Sequence, residues 1–143
     1  MRSREGDHSM SQDPQFYPPQ ANQPAVSSED RSVAMLAHLS TIVALVVSAG
    51  WLSFVGPLAV WFLYKDRSEF VRKSAAGAFN FNLGMWVLSL IGWICVFTVI
   101  GAVIGIPILI FSAIAQIVCH IIGAVRASRG ELYRYPFQLR VLS

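Results

Sequence analysis

Charged side chains are scarce in this chain and are missing from most of its length. Lysine, arginine, aspartate and glutamate make up 13% of its 143 residues, about half of the roughly 25% that soluble globular domains carry. None of them occurs in the 33 residues 32–64 or in the 52 residues 74–125. Because such stretches cannot cover a surface that faces water, we exclude a water-soluble fold.

The motifs of common enzyme and metal sites are also missing. Cys95 and Cys119 both lie in apolar runs, where we expect them to act as small hydrophobic side chains. No zinc-ligand spacing, no phosphate-binding glycine loop and no Gly-x-Ser-x-Gly turn occurs. The net charge of +3 comes without a basic stripe interleaved with aromatic residues. We therefore expect no catalytic residue, no cofactor, no metal site and no nucleic-acid partner, and we can name no small-molecule substrate.

The sequence does contain two apolar blocks that are long enough to cross a membrane. About 20 apolar residues cross a hydrocarbon core of about 30 Å, so the second block can cross twice. Breaks are predicted at Gly50–Ser53 and Gly56–Pro57 in the first block, and at Gly101, Gly105 and Pro107 in the second, with Pro107 opening the last helix. We predict an all-α integral membrane bundle of four segments. They span about 32–49, 54–65, 68–100 and 106–128, the second being short or re-entrant.

The regions outside these blocks are more polar. Residues 1–31 are rich in proline and glutamine and predict a disordered cytoplasmic tail. This tail does not resemble a cleaved signal, because the apolar stretch after it is too long. Met10 is an alternative to Met1 as the start. Residues 32–143 predict the helical membrane domain, which ends in a short basic C-terminal tail.

The distribution of lysine and arginine predicts the orientation in a bacterial inner (plasma) membrane. Both residue types cluster in the loop 65–73, arginine recurs after Val125, and neither occurs in the turn near Gly101. Basic loops are retained in the cytoplasm, so we place loop and C-terminus there. The N-terminus follows on the same side if residues 32–64 form a hairpin, which we favour, and on the opposite side if they cross once.

A few polar side chains interrupt the apolar blocks, and such side chains usually face the interior of a bundle. On the last segment these side chains recur at spacings that place them on one helix face, and on the other segments they lie at a similar depth in the membrane. Five of them are therefore expected to meet. The predicted cluster consists of His38, Asn80, Asn82, Gln116 and His120. It indicates either a polar pocket that responds to protons or, as we favour, interhelical hydrogen bonds worth about 0.6 to 2 kcal/mol each.

Two further patterns concern packing and lipid contact. Gly77, Gly84 and Gly92 form a small-residue stripe that predicts close packing within the chain. Near the C-terminus, Tyr133 and Tyr135 are expected to lie at the inner interface. The arginines around them are predicted to contact anionic lipid headgroups. These arginines are Arg126, Arg129, Arg134 and Arg140.

Three strings are more specific than composition: residues 56–66, Phe70–Val71 ahead of Asn80–Asn82, and residues 127–136. Together they resemble the Tic-twenty-like family of small bacterial membrane proteins, which is distantly similar to an import component of the chloroplast inner envelope. The resemblance covers about residues 32–142. It implies a four-helix membrane domain with both termini in the cytoplasm, and it implies no activity. Ser74–Gly77 departs from the family pattern because it lacks a histidine.

These observations predict a non-enzymatic multi-pass membrane protein that serves as an accessory or scaffold subunit of a membrane complex. Its expected partners are the lipid bilayer and other membrane proteins or further copies of the chain. The alternative is a small channel or transporter-like subunit that passes protein or solute as an oligomer. A single copy of this size would need partners to enclose water.

Overall fold

The computed structural model describes residues 25–98 and 100–143, which form four α-helices and no strand. The helices are α1 (Ser28–Val47), α2 (Val55–Tyr64), α3 (Glu69–Phe97) and α4 (Ala102–Ser128). Three of them are long and apolar enough to cross a membrane, whereas α2 has only 10 residues. The predicted all-α bundle with a short second segment is confirmed. Most of the predicted disordered tail, residues 1–24, lies outside the described residues.

Local hydrogen bonds explain where two helices begin and one ends. The helix α1 begins four residues earlier than predicted, because Ser27 Oγ accepts the N–H of Asp30 at 3.0 Å and caps the first turn. Ser68 caps α3 in the same way, accepting the N–H of Val71 at 3.3 Å. At its other end, α3 stops at Phe97 rather than near residue 100, and the N–H and hydroxyl of Thr98 both donate to Cys95 O.

The predicted start of the last helix near residue 106 is wrong. The helix α4 begins at Ala102, so Gly105 and Pro107 lie inside it. The helix is started by the N–H of Gly105, which bonds to Gly101 O at 2.8 Å, and Pro107, which lacks a backbone N–H, leaves the carbonyl of Val103 without its usual helical donor. Gly105 serves packing instead. A Cβ at this position would lie 2.5 Å from Gly92 O on α3, so glycine allows the two helices to approach closely.

The helices do not all touch one another. Both α1 and α3 pack against every other helix, whereas α2 and α4 make no contact with each other within the described residues. The bundle therefore has a rhombic cross-section with α1 and α3 on its short diagonal. Its outer surface is apolar, with exposed side chains such as Val43, Phe62 and Ile121, and it faces the lipid bilayer.

The C-terminal segment, residues 129–143, which corresponds to the predicted short basic tail, packs against the bundle. It leaves α4 through Gly130, at a φ of 78°, and folds back along α3. The ring of Tyr135 lies over Gly77, and the carbonyl oxygen of Phe137 faces Gly84. Two glycines of the predicted stripe thus receive the C-terminal segment, while the third, Gly92, receives Leu109 of α4. The chain itself covers the stripe.

Topology places the charged residues at one end of the bundle. The starts of α1 and α3 and the ends of α2 and α4 lie together there, and the C-terminal segment returns from the same end. Every Asp, Glu, Lys and Arg among the described residues lies at these helix ends, in the loop 65–68 or in the C-terminal segment, where Arg140 lies further along the bundle, between two residues that bind Asn80. We call this end of the bundle the charged end. The opposite, uncharged end carries the turn 48–54 and the connection between α3 and α4.

Candidate functional site

The hydroxyl of Tyr135 lies between two histidines in the interior of the bundle. Its oxygen is 2.7 Å from Nδ1 of His38 on α1 and 2.9 Å from Nδ1 of His120 on α4. None of the three side chains is more than 5% exposed. Gly123 provides the space, since a Cβ there would lie 2.9 Å from Tyr135 Oη and 3.0 Å from His38 Nδ1.

The hydrogen bonds continue from His120 across to α3 and back to α1. His120 Nε2 is 3.1 Å from Asn82 Oδ1. The amide nitrogen of Asn82 donates to Thr41 Oγ1 at 3.1 Å and to the carbonyl oxygen of Ser53 at 3.2 Å. One buried chain of hydrogen bonds therefore joins α1, the α1–α2 turn, α3, α4 and the C-terminal segment. We call it the polar chain: His38, Tyr135, His120, Asn82, Thr41 and the carbonyl of Ser53.

The hydrogen-bond partners determine which groups of the polar chain donate and which accept. A carbonyl only accepts, so the Asn82 atom that faces Ser53 is the amide nitrogen, and the oxygen faces His120. His120 must then donate from Nε2, and in its neutral form it accepts the Tyr135 hydroxyl at Nδ1. Tyr135 in turn accepts from His38 Nδ1–H. Burial raises the pKa of the Tyr135 hydroxyl well above its usual range, which keeps it protonated as a donor.

The other two members of the predicted cluster do not join the polar chain. Asn80 binds the end of the C-terminal segment: its Oδ1 accepts the N–H groups of Val141 and Leu142 at 3.0 and 2.9 Å, and its Nδ2 donates to Leu142 O at 2.8 Å. Gln116 is buried, its Nε2 donates to Ser112 O at 3.3 Å, and its Oε1 has no hydrogen-bond partner. The structure therefore brings together three of the five predicted residues.

Three members of the polar chain are not predicted from the sequence: Tyr135, Thr41 and the carbonyl of Ser53. Tyr135 is the most consequential, because its sequence context places it at the interface with Tyr133. Phe137, Leu139 and Val141 alternate with polar residues after it, but all three are exposed in the structure, so this alternation does not mark a packed face.

The four arginines predicted to contact lipid are all exposed. The guanidinium of Arg126 stacks over Tyr133 with its carbon 5.8 Å from the ring centre. Arg129 ends α4, and Arg134 and Arg140 flank the part of the C-terminal segment that folds back. Their contact with anionic headgroups stays a prediction.

The polar chain is built to connect helices. All of its members are uncharged when His38 and His120 are neutral, and each donor in it has an acceptor. Residues 25–98 and 100–143 contain no group of three or more histidine, cysteine or acidic side chains placed to hold a metal ion. Such networks in membranes hold helices in register, with each contact worth about 0.6 to 2 kcal/mol.

Comparison with known proteins identifies the family. The family model described as the magnetosome magnetite crystal formation protein family, MamF/MmsF, matches residues 29–142. No curated protein and no solved structure matches the chain. The expected relation to the Tic-twenty-like family is wrong, because the match to another family covers nearly the whole region on which it rested. The three stretches of sequence that carried the resemblance lie largely in apolar helices and at the basic membrane boundary. Small helical membrane bundles of any family have these features for physical reasons. The chain belongs to the MamF/MmsF family, whose members are small membrane proteins of magnetosome formation.

Proposed function

We propose that this chain is a non-enzymatic structural subunit of the magnetosome membrane. It contributes to magnetite crystal formation from within the bilayer, with its charged end in the cytoplasm. The family supplies the process, since its description names magnetite crystal formation. The fold supports a structural action from within the bilayer.

The separation of charge along the bundle is the observation that carries the proposal. Basic residues near a membrane stay in the cytoplasm, so the uncharged end faces the interior of the magnetosome. Iron in proteins is bound through carboxylate, imidazole or thiolate groups. The turn 48–54 and residues 98–101 between α3 and α4 contain none of these side chains. A chain oriented in this way does not act on the mineral by presenting iron ligands from its turns, and its effect passes through the membrane or through partner proteins.

The polar chain supports a structural role over passage of a solute. A path for ions or solutes must bring polar side chains into contact with water. His38, Asn82, His120 and Tyr135 are instead at most 5% exposed and bonded to one another. Their hydrogen bonds are used to join the helices of a single copy.

Crystal size in cells tests this role. The natural gene is replaced by one for His38→Gln, Asn82→Leu or His120→Gln, and electron microscopy gives the crystal size distribution while immunoblots give the amount of chain in the membrane. Ser128→Ala, an exposed position at the end of α4, serves as the matched control. If the role is structural, crystal size follows the amount of folded chain in all four variants. A variant that persists at the parental level and still has the crystals of a deletion strain would reveal a chemical function for its side chain.

A further inference from the structure

We propose that the bundle is a wedge that prefers strongly curved membrane, with the charged end in the convex leaflet. What the wedge means in the cell rests on the orientation proposed above. The wedge itself follows from the unequal depth of the two helical hairpins.

The α1–α2 hairpin is much shorter than the α3–α4 hairpin. Its turn lies against the stretch of α3 from Trp86 to Trp93. Trp51 packs edge-on against Trp86 with ring centres 6.3 Å apart, and residues 49–51 line a small pocket together with Ser89, Leu90 and Trp93. Phe54 packs edge-on against the same Trp86 ring, at 6.2 Å. From Trp86, α3 continues for 11 residues to Phe97, which at 1.5 Å per residue is about 16 Å. If Phe97 marks the far boundary of the hydrocarbon core, the α1–α2 turn, which lies against Trp86 to Trp93, ends about 6 to 16 Å short of that boundary.

The α1–α2 turn is suited to this depth because most of its backbone N–H groups have partners within the turn or at the end of α1. Irregular backbone inside hydrocarbon is tolerated only when its polar groups find partners within the protein. Six N–H groups of the turn donate to oxygen atoms of residues 44–52. The donors are Ser48, Gly50, Trp51, Leu52, Ser53 and Val55. The turn also carries no charge, and it exposes the apolar side chains of Trp51 and Leu52.

Beyond this turn only α3 and α4 remain, held against each other at Gly92 and Gly105. The side chains at their tip are among the most exposed of the chain, with Phe97 at 83%, Ile100 at 90% and Val103 at 78%. All are apolar. Only two helices therefore occupy the last part, about 6 to 16 Å, of the leaflet at the uncharged end, whereas four helices and the C-terminal segment occupy the leaflet at the charged end.

This difference in cross-section couples the chain to membrane shape. A helix with its side chains is about 10 Å across, so four helices take up about twice the area of two. An insert that takes more area in one leaflet lowers its free energy when that leaflet is convex, since the lipids of a convex leaflet are spread apart. With the charged end in the cytoplasm, the convex leaflet is the outer leaflet of a small internal vesicle. The same chain therefore favours the curvature of a compartment that encloses a crystal.

Sorting between vesicles of different size tests the wedge. The full chain is reconstituted in a mixture of small and large liposomes, on a background in which Cys95 and Cys119 are serine. In one sample a membrane-impermeant dye on Ser68→Cys marks copies whose charged end faces outward. In a second sample the dye on Ile100→Cys marks copies of the opposite orientation. Dye per unit of vesicle area is then read for single vesicles.

The two orientations are expected to sort in opposite directions. Copies marked at Ser68→Cys should be enriched severalfold on the smallest vesicles, and copies marked at Ile100→Cys should be depleted there. Equal density on all sizes, or enrichment of both populations together, overturns the wedge. Reversed orientation in cells would defeat the proposed function and leave this sorting result intact, so the two failures are distinguishable.

The depth of Trp51 provides a second test that needs no cysteine. Trp61, Trp86 and Trp93 are replaced by phenylalanine, and the remaining Trp51 is quenched by lipids brominated at different depths along the acyl chain. Quenching should be greatest for bromine deep in the acyl chains, away from the headgroups of either leaflet. The matched single-tryptophan chain that retains Trp93 should be quenched best closer to the far boundary, since Trp93 lies seven residues further along α3 than Trp86. Strongest quenching of Trp51 near the headgroups would mean a full crossing and no wedge.

Discussion

Tyr135 and His120 lie 15 residues apart in sequence, and their side chains meet inside the bundle with Tyr135 Oη 2.9 Å from His120 Nδ1. The same hydroxyl reaches His38 at 2.7 Å, so a residue outside the helices joins α1 to α4. The C-terminal segment is thereby part of the folded domain, and the contribution of its hydrogen bonds can be tested by mutation.

Removal of the Tyr135 hydroxyl should destabilise the domain. In Tyr135→Phe, the Nδ1 atoms of His38 and His120 lose their shared partner in a buried environment, which costs about 1 to 3 kcal/mol. The measurement is the free energy of unfolding in mixed micelles. Tyr133→Phe is the matched control, because Tyr133 is only half-buried and outside the polar chain. An equal loss in both variants would contradict the role given to the hydroxyl.

Stability should fall at high pH through Tyr135. Burial raises the pKa of this hydroxyl in the folded chain above its unfolded value of about 10. The unfolded state therefore loses its proton first, so the stabilisation is complete below about pH 10 and declines as the pH rises further. Unfolding measured from neutral to alkaline pH should show this decline in the parent and a smaller one in Tyr135→Phe. Parallel curves for the two chains would show that other groups titrate.

Two glycines that both face Tyr135 should differ in their tolerance of a methyl group. In Gly123→Ala the new Cβ lies 2.9 Å from Tyr135 Oη and displaces the ring. In Gly77→Ala it lies 3.5 Å from Tyr135 Cδ2, an ordinary van der Waals distance. Hydrogen exchange of residues 133–142 should therefore accelerate in the first variant and stay near the parental rate in the second. Equal protection in both would mean that the segment is held without Tyr135.

Two buried amides should respond oppositely to replacement by leucine. Asn82 takes part in three hydrogen bonds of the polar chain, so Asn82→Leu leaves His120, Thr41 and Ser53 O short of a partner. Gln116 has one bond, within its own helix, and a buried oxygen without a partner. Asn82→Leu should lower the free energy of unfolding by about 2 to 4 kcal/mol, whereas Gln116→Leu should leave it unchanged or raise it. Similar losses would place Gln116 in the network as well.

The sequence predicts the helices better than it predicts the site, for physical reasons. Uncharged runs and glycine or proline breaks mark membrane helices directly, so all four appear in their expected order. The asparagines of the cluster illustrate the difficulty of the site. Asn80 and Asn82 are two residues apart and therefore about 200° apart around α3, so only one can face His120. Tyr135 is harder still, because its partners come from α1 and α4 and local sequence around it looks like an interfacial tail.

The family assignment shows a related limit. Aromatic residues beside lysine at residues 61–65 and arginines after a last apolar helix suit any small bundle at a membrane boundary. They predict the architecture correctly and the family wrongly. Only similarity along nearly the whole chain, residues 29–142, distinguishes between families with such features.

The orientation of the bundle in intact magnetosomes is the most direct test of the proposed function. Single-cysteine variants at Ser68, in the charged loop, and at Ile100, at the uncharged tip, are made on a background without Cys95 and Cys119. Isolated magnetosomes are treated with a membrane-impermeant thiol reagent, before and after detergent. We predict that Ser68→Cys is labelled in intact magnetosomes and that Ile100→Cys is labelled only after the membrane is dissolved. Labelling of Ile100→Cys in intact magnetosomes, with Ser68→Cys protected, would place the charged end against the mineral and contradict the proposal.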